Sequence, residues 1–214
     1  MKSAIRSIPV AVALITSGLL AASSANATTA PAAVAEFTAD NAVQTLQPKS
    51  TGWLDPAFGD MGWTHKSVWG KVEASKGQTI TIKAVSSNAD LHPGITVWYR
   101  GAEDTAPDSY VADHFYAQNA NLFVAGAKDE STGEDLGNIV MKVVKFGYDR
   151  DGKGNAKIPG LNGRKDGVSG QLELTFKASR TGTYMFVLGG VNPGADADPA
   201  VAIDVETEVT VSGH

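Results

Sequence analysis

The sequence predicts an all-β chain that folds as an antiparallel, jelly-roll-like β-sandwich with one long loop insertion. Short segments of alternating apolar and polar residues recur from about residue 51 onward. Gly, Asp, Asn and Pro interrupt these segments, and none keeps a helical period. A chain of this kind buries the apolar faces of its strands by packing two sheets together. We therefore expect one β-sandwich domain over residues 47–214.

The clearest strand is Gln78–Ala84, where Ile80, Ile82 and Ala84 alternate with polar residues. The side-chain period of two places these three residues on one face of the strand. The same pattern recurs in Leu172, Leu174 and Phe176. The predicted strands are Ser67–Ala74, Gln78–Ala84, Gly94–Arg100, Asn138–Gly147, Gly170–Ala178, Gly182–Gly189 and Ala200–Ser212.

Two further stretches have no clear strand pattern. Residues 28–46 are rich in Ala, Thr and Val, which predicts a flexible tether followed by a short ordered lead-in. The stretch between Ala102 and Gly137 is an acidic insertion with an apolar centre, and we expect one helical turn near Ala112–Gln118. An insertion of this length in a compact β domain is usually a functional loop.

The first 27 residues have the pattern of a secretory signal peptide. Lys2 and Arg6 form a basic start, an apolar run follows, and Ala25-Asn26-Ala27 provides a small-x-small cleavage site. The apolar run is shorter than the roughly 20 residues that cross a bilayer. We expect an exported protein that is periplasmic, secreted or peripherally associated with the outer membrane and cell surface.

Composition excludes several functional classes. The 214 residues include no cysteine, so a disulfide scaffold, a zinc-thiolate site and an iron–sulfur cluster are excluded. The formal net charge of −5 is unsuited to binding nucleic acid or anionic lipid. The chain also has neither a Gly-x-Ser-x-Gly nor a His-Glu-x-x-His motif, so we do not expect an enzyme.

Without thiols, a soft metal must be bound through imidazole or thioether groups. The histidines are His65, His92, His114 and His214, of which the last ends the chain. If the segment around His65 is extended, Met61, Trp63 and His65 share one face. A thioether and an imidazole would then flank an indole ring that metal-bound oxygen could oxidise.

His114 lies inside the insertion, among aromatic residues. A neutral imidazole in an apolar environment favours an ion of low charge such as cuprous copper, Cu(I), which accepts two nitrogen ligands in a near-linear arrangement. Zinc would require three or four ligands, and nearby carboxylates keep that alternative open. His92 precedes Pro93-Gly94, where a turn residue whose ring bonds the backbone is the competing interpretation.

A candidate calcium loop follows the predicted strand Asn138–Gly147. Asp149 and Asp151 alternate with other residues in a Gly-rich turn, as oxygen ligands do in calcium loops. The match to an EF-hand is incomplete, because Lys153 replaces an oxygen ligand and Gly160 replaces the closing glutamate. An ordinary solvated turn explains the same residues.

Three segments carry a family resemblance: Gly59–His65 with its Trp-Thr-His element, Leu91–Arg100, and Tyr110–Tyr116. Together they resemble the surface-associated copper-binding proteins of methane-oxidising bacteria, of the CorA and MopE type. The strands around Trp69 and Tyr184 also resemble the pre-peptidase C-terminal jelly-roll domains of secreted bacterial peptidases, which concerns the scaffold alone.

The family resemblance implies a β-sandwich that holds Cu(I) between two histidines, beside a tryptophan that can be oxidised to kynurenine. Trp63 and His65 match the Trp-x-His element, His114 is the second ligand that we predict, and His92 is the reserve. The predicted function is capture or sequestration of copper at the cell surface. The alternative is an adhesive or accessory sandwich that binds glycans or proteins without a metal.

Overall fold

The structure is a computed structural model that describes residues 33–49, 52–53, 67–89, 91–114, 121–152, 158, 160–191 and 201–213. Eleven strands and one helix are described: β1 Val34–Phe37, β2 Val43–Leu46, β3 Val68–Ala74, β4 Thr79–Ser86, β5 His92–Arg100, α1 Asp108–His114, β6 Leu122–Lys128, β7 Asp135–Asp149, β8 Gly163–Arg164, β9 Gln171–Lys177, β10 Gly182–Val191 and β11 Val205–Ser212.

The strands form two sheets. The first sheet has the order β1-β3-β10-β5-β7-β6, with β8 paired to β7, and the second has the order β2-β11-β4-β9. The pairs β1–β3 and β7–β8 are parallel, and the other described pairs are antiparallel. The prediction of an antiparallel β-sandwich is confirmed.

The inner core lies between the two sheets and follows the predicted alternation. Ile80, Ile82 and Ala84 of β4 are fully buried there, as are Leu172 and Leu174 of the neighbouring strand β9. These residues occupy the face of the second sheet that packs on the first, while the polar residues between them face outward.

A second apolar cluster covers the other face of the first sheet, and we call it the outer layer. Its members are Trp53, Trp69, Trp98, Ala106, Tyr110, Val111, Ala112, Ala127, Ile139, Met141, Tyr148, Met185, Val187 and Val191. Every residue of β5 is buried because this strand is covered on both faces. Ile95 and Val97 belong to the inner core, whereas Trp98 belongs to the outer layer.

The seven predicted strands correspond to β3, β4, β5, β7, β9, β10 and β11. The structure adds four strands where none was predicted: β1 and β2 lie within residues 28–46, β6 lies within the insertion, and β8 is Gly163–Arg164. The helix α1 begins at Asp108, four residues before the predicted helical turn. Residues 1–27, the predicted signal peptide, lie outside the described residues.

Candidate functional site

Aromatic side chains dominate the outer layer. The rings of Trp69 and Trp98 stack with centroids 5.5 Å apart, and those of Trp53 and Tyr148 stack at 5.8 Å. All four residues are at most 3% exposed. Arrays of this kind exclude water from the surface they cover. The outer layer is therefore a dry aromatic surface on the first sheet.

Trp53 is anchored to strands β5 and β10 of the first sheet. Its indole N–H donates to Thr96 Oγ1 at 3.0 Å, and its backbone N–H donates to the carbonyl of Gly190 at 3.1 Å. A Cβ added at Gly94 would lie 2.3 Å from the Trp53 ring, and one at Gly189 would lie 2.2 Å from the Trp53 backbone nitrogen. Glycine at both positions lets Trp53 lie flat on β5 and β10.

The part of the chain that contains the predicted ligand His65 is flanked in sequence by two residues that pair with β10. On one side, Trp53 bonds Gly190. On the other, Val68, the first residue of β3, pairs with Leu188. Met61, Trp63 and His65 lie between these anchor points, in residues 54–66, which are outside the described part of the chain.

Helix α1 carries His114 as its last residue. The helix begins at Asp108, whose carboxylate lies 3.1 Å from Nζ of Lys71 in β3. Val111 and Ala112 are fully buried in the outer layer, together with Trp69 near the start of the same strand. Helix α1 thus lies against the outer layer, and the side chain of His114 is outside the described part of the structure.

His92 opens β5 and bonds a carboxylate instead of the backbone expected for a turn residue. Its Nδ1 lies 2.7 Å from Oδ2 of Asp149, which is fully buried at the end of β7. Asp149 Oδ2 also accepts the backbone N–H of Gly170 at 2.7 Å, so this oxygen acts as an acceptor and His92 Nδ1 as the donor. A histidine whose Nδ1 is held by a carboxylate presents Nε2 as a lone-pair donor, as metal-binding imidazoles do.

The two candidate calcium ligands use their carboxylates within the protein. Asp149 Oδ1 accepts the backbone N–H of Asp151 at 2.7 Å. Asp151 Oδ2 accepts the backbone N–H groups of Asp166 and Gly167 at 2.8 and 3.0 Å. Hydrogen bonds of this kind are typical of turns. The rest of the candidate calcium loop, residues 153–157, is outside the described residues.

Across the residues that the structure describes, no group of three or more histidine, aspartate or glutamate side chains is arranged to hold a metal ion. None of the helices in the described ranges is long and apolar enough to cross a membrane.

Comparison with known proteins shows a family to which the chain is similar. The family model for copper(I)-binding proteins that are CorA-like matches residues 25–198. The structure of CorA, a surface-associated copper-binding protein important in Methylomicrobium album BG8 copper acquisition, is 33% identical, with a TM-score of 0.75. The similarity covers 85% of this chain and 99% of CorA.

The fold is shared more widely. MopE is a secreted protein of Methylococcus capsulatus in which an oxidized tryptophan facilitates copper binding. It is 19% identical to this chain over 83% of this chain and 87% of its own, with a TM-score of 0.58, and that likeness concerns the fold alone. No curated protein sequence matches the chain. The resemblance predicted from the Trp-Thr-His element and its companion segments is confirmed, and the chain belongs to the CorA-like family of copper(I)-binding proteins.

Proposed function

We propose that this protein is exported, binds Cu(I) at the cell surface and captures or sequesters copper there without acting as an enzyme. Membership of the CorA-like family supports copper as the ligand. The description of the relative from Methylomicrobium album as surface-associated and important in copper acquisition supports the location and the role. The basic, apolar and small-x-small pattern of residues 1–27 supports export.

The ligands in this proposal are His65 and His114. The observation that carries it is the position of α1, whose first residue Asp108 contacts Lys71 of β3 and whose apolar residues share the outer layer with Trp69. In the sequence, His65 lies four residues before Trp69 and His114 two residues after Ala112, and Trp69 and Ala112 both belong to the outer layer. Met61 is a further candidate donor from the same segment as His65.

Two neutral imidazoles suit cuprous copper. Cu(I) is stable with two nitrogen ligands, and the dry aromatic platform of the outer layer penalises water and ions of higher charge. Trp63 lies two residues before His65 and would stand beside the metal. Oxidation of Trp63 to kynurenine by dioxygen, with loss of the indole C2 carbon as formate, would leave a ketone and an aryl amine near the ion, and the oxidized tryptophan of MopE supports such a change.

Cu(I) titration against a competing chelator tests the proposal. The variants are His65→Ala, His114→Ala and His92→Ala, with His214→Ala at the end of the chain as the matched control. We expect large losses of affinity for the first two variants and none for the control. Wild-type affinity in both His65→Ala and His114→Ala would disprove the ligand assignment, and a loss in His92→Ala in place of His114→Ala would make His92 the second ligand.

The same titration separates this proposal from an adhesive sandwich without a metal, which would bind no copper. Elemental analysis of the purified protein supplies an independent check. An intact mass and a peptide map of residues 54–66 test whether Trp63 has become kynurenine. A melting temperature that chelators lower and that calcium, not copper, restores would support the alternative of a calcium-stabilised domain.

A further inference from the structure

A buried cluster of charged side chains lies at the opposite end of β5 from His92. Its centre is Arg100, the last residue of the strand, which is 6% exposed. The guanidinium nitrogens contact Asp104, the carbonyl of Ala106, Asp108 and the sulfur of Met185. These contacts use all five N–H donors of the arginine. A fully satisfied, forked guanidinium holds its partners in one geometry.

Asp104 connects this cluster to β7. Its two oxygens accept from Nε and Nη2 of Arg100 at 3.0 and 2.5 Å, and Oδ2 also accepts the backbone N–H of Val140 at 2.8 Å. The next residues continue this attachment, because the backbone N–H groups of Thr105 and Ala106 both donate to the carbonyl of Asn138. The connection that leads into α1 is therefore fixed to the first sheet over several consecutive residues.

Asp108 connects the cluster to the helix itself, since it is the first residue of α1. One carboxylate oxygen accepts from Nη1 of Arg100, and the other lies 3.1 Å from Nζ of Lys71. The hydrogen bond that the Lys71 ammonium donates to Asp108 raises the pKa of Lys71. Two strands of the first sheet, β5 and β3, thus hold the first turn of α1 from two directions.

Desolvation offsets much of the attraction in a buried ion pair, so such a pair adds little stability compared with well-packed apolar residues, while its directed hydrogen bonds hold the partners in one geometry. Here the geometry selected is the position of α1. His114 lies six residues beyond Asp108, about 9 Å along a helix. A ligand must stand within a few tenths of an ångström of its proper distance to bind a metal well.

We propose that Arg100 is a positioning residue for the copper site: by holding Asp104 and Asp108 it fixes the first turn of α1 and thereby places His114. This inference rests on the proposed function, in which His114 is a copper ligand. The apolar residues of α1 hold the helix in the outer layer. The bonds of Arg100 to Asp104 and Asp108 fix the point on the first sheet at which the helix begins.

The test compares Arg100→Lys with Arg180→Lys by Cu(I) titration. Lysine keeps the charge at position 100 but loses the fork that reaches Asp104 and Asp108 together. Arg180 is exposed and lies over Tyr99, with its guanidinium carbon 5.7 Å from the ring centroid, so Arg180→Lys is the matched control. We expect at least a tenfold loss of Cu(I) affinity in Arg100→Lys and wild-type affinity in Arg180→Lys.

A double-mutant cycle with His114→Ala separates positioning from a general loss of structure. If Arg100 acts through His114, Arg100→Lys causes no further loss of affinity in the His114→Ala background. X-ray absorption of the copper-loaded Arg100→Lys protein should then show fewer imidazole ligands than in the wild type. Additive losses, or wild-type affinity in Arg100→Lys, would overturn the inference and leave the proposed function intact.

Asp108→Ala provides a second route if Arg100→Lys does not fold. The Asp108 side chain is 33% exposed, so its truncation leaves no deep cavity. This variant must also lose Cu(I) affinity, again without further loss in the His114→Ala background, and additive or absent losses would overturn the inference. Unchanged affinity in His114→Ala alone would overturn both the ligand assignment and the inference that depends on it.

Discussion

Nδ1 of His92 lies 2.7 Å from Oδ2 of Asp149, and this contact joins the first residue of β5 to the last residue of β7. Asp149 is fully buried, and its two oxygens also accept the backbone N–H groups of Gly170 and Asp151. One carboxylate therefore holds a histidine, the start of β9 and the turn after β7. The His92–Asp149 pair lies at the end of the first sheet where Trp53 bonds Gly190.

Asp149→Ala is expected to destabilise the protein by about 3 kcal/mol or more, because it leaves buried N–H donors without an acceptor. Urea denaturation followed by circular dichroism measures the loss. Asp40→Ala, an exposed position in the turn after β1, is the control and should stay within about 0.5 kcal/mol of the wild type. Equal stabilities for the two variants would show that the carboxylate of Asp149 is not required.

Gly94→Ala is expected to displace Trp53, because the new methyl group would lie 2.3 Å from the indole ring. Overpacking of this kind costs about 1–3 kcal/mol. The indole N–H resonance of Trp53 in an NMR spectrum should shift as its bond to Thr96 is disturbed. Gly77→Ala, which adds a methyl group in open space at a φ of +95°, should lower stability without moving that resonance.

Asp129 should titrate far below an ordinary carboxyl group. The hydroxyl of Ser131 and the backbone N–H groups of Ser131 and Thr132 donate to it and lower its pKa to about 2. Since this pKa lies below the value of 3.8 in the unfolded chain, the turn adds stability above about pH 4 and loses it as pH falls through about 2. Carboxyl-carbon NMR should show the pKa rising in Ser131→Ala and staying low in a Ser75→Ala control.

Trp69→Phe is expected to cost less than Trp53→Phe, although both residues are at most 3% exposed. The indole nitrogen of Trp69 is buried and has no hydrogen-bond partner among the described residues, whereas that of Trp53 donates to Thr96. Removing an unpaired donor relieves a desolvation penalty, and removing a paired one adds a penalty of about 1 kcal/mol. Chemical denaturation of the two variants tests the order, and a larger loss for Trp69→Phe would contradict it.

Alternation made the central strands predictable from sequence. In β4, Ile80 and Ile82 point into the inner core because a strand with one buried face needs apolar residues at every second position. The strands β1, β2 and β6 were not predicted because their apolar residues do not alternate clearly with polar ones. Phe123 of β6, for example, is 68% exposed, so burial does not impose a clear alternation on that strand.

The sequence suggests which residue types form the site, but the contacts that the structure describes around it could not be predicted. Trp63, His65 and His114 follow from local motifs, and their assignment as ligands stays a prediction. The pairing of His92 with Asp149 joins residues 57 positions apart and depends on the register of β5 against β7, which no local pattern specifies. The partners of Arg100 were equally unpredictable from sequence, because they come together only when the connection after β5 folds back onto the sheet.

The first sheet separates two apolar regions that share no side chains, the inner core and the outer layer. Substitutions in the outer layer need not repack the residues between the sheets, so selection can alter one without rebuilding the other. Such a partition allows the residues of the outer layer to change while the inner core is conserved.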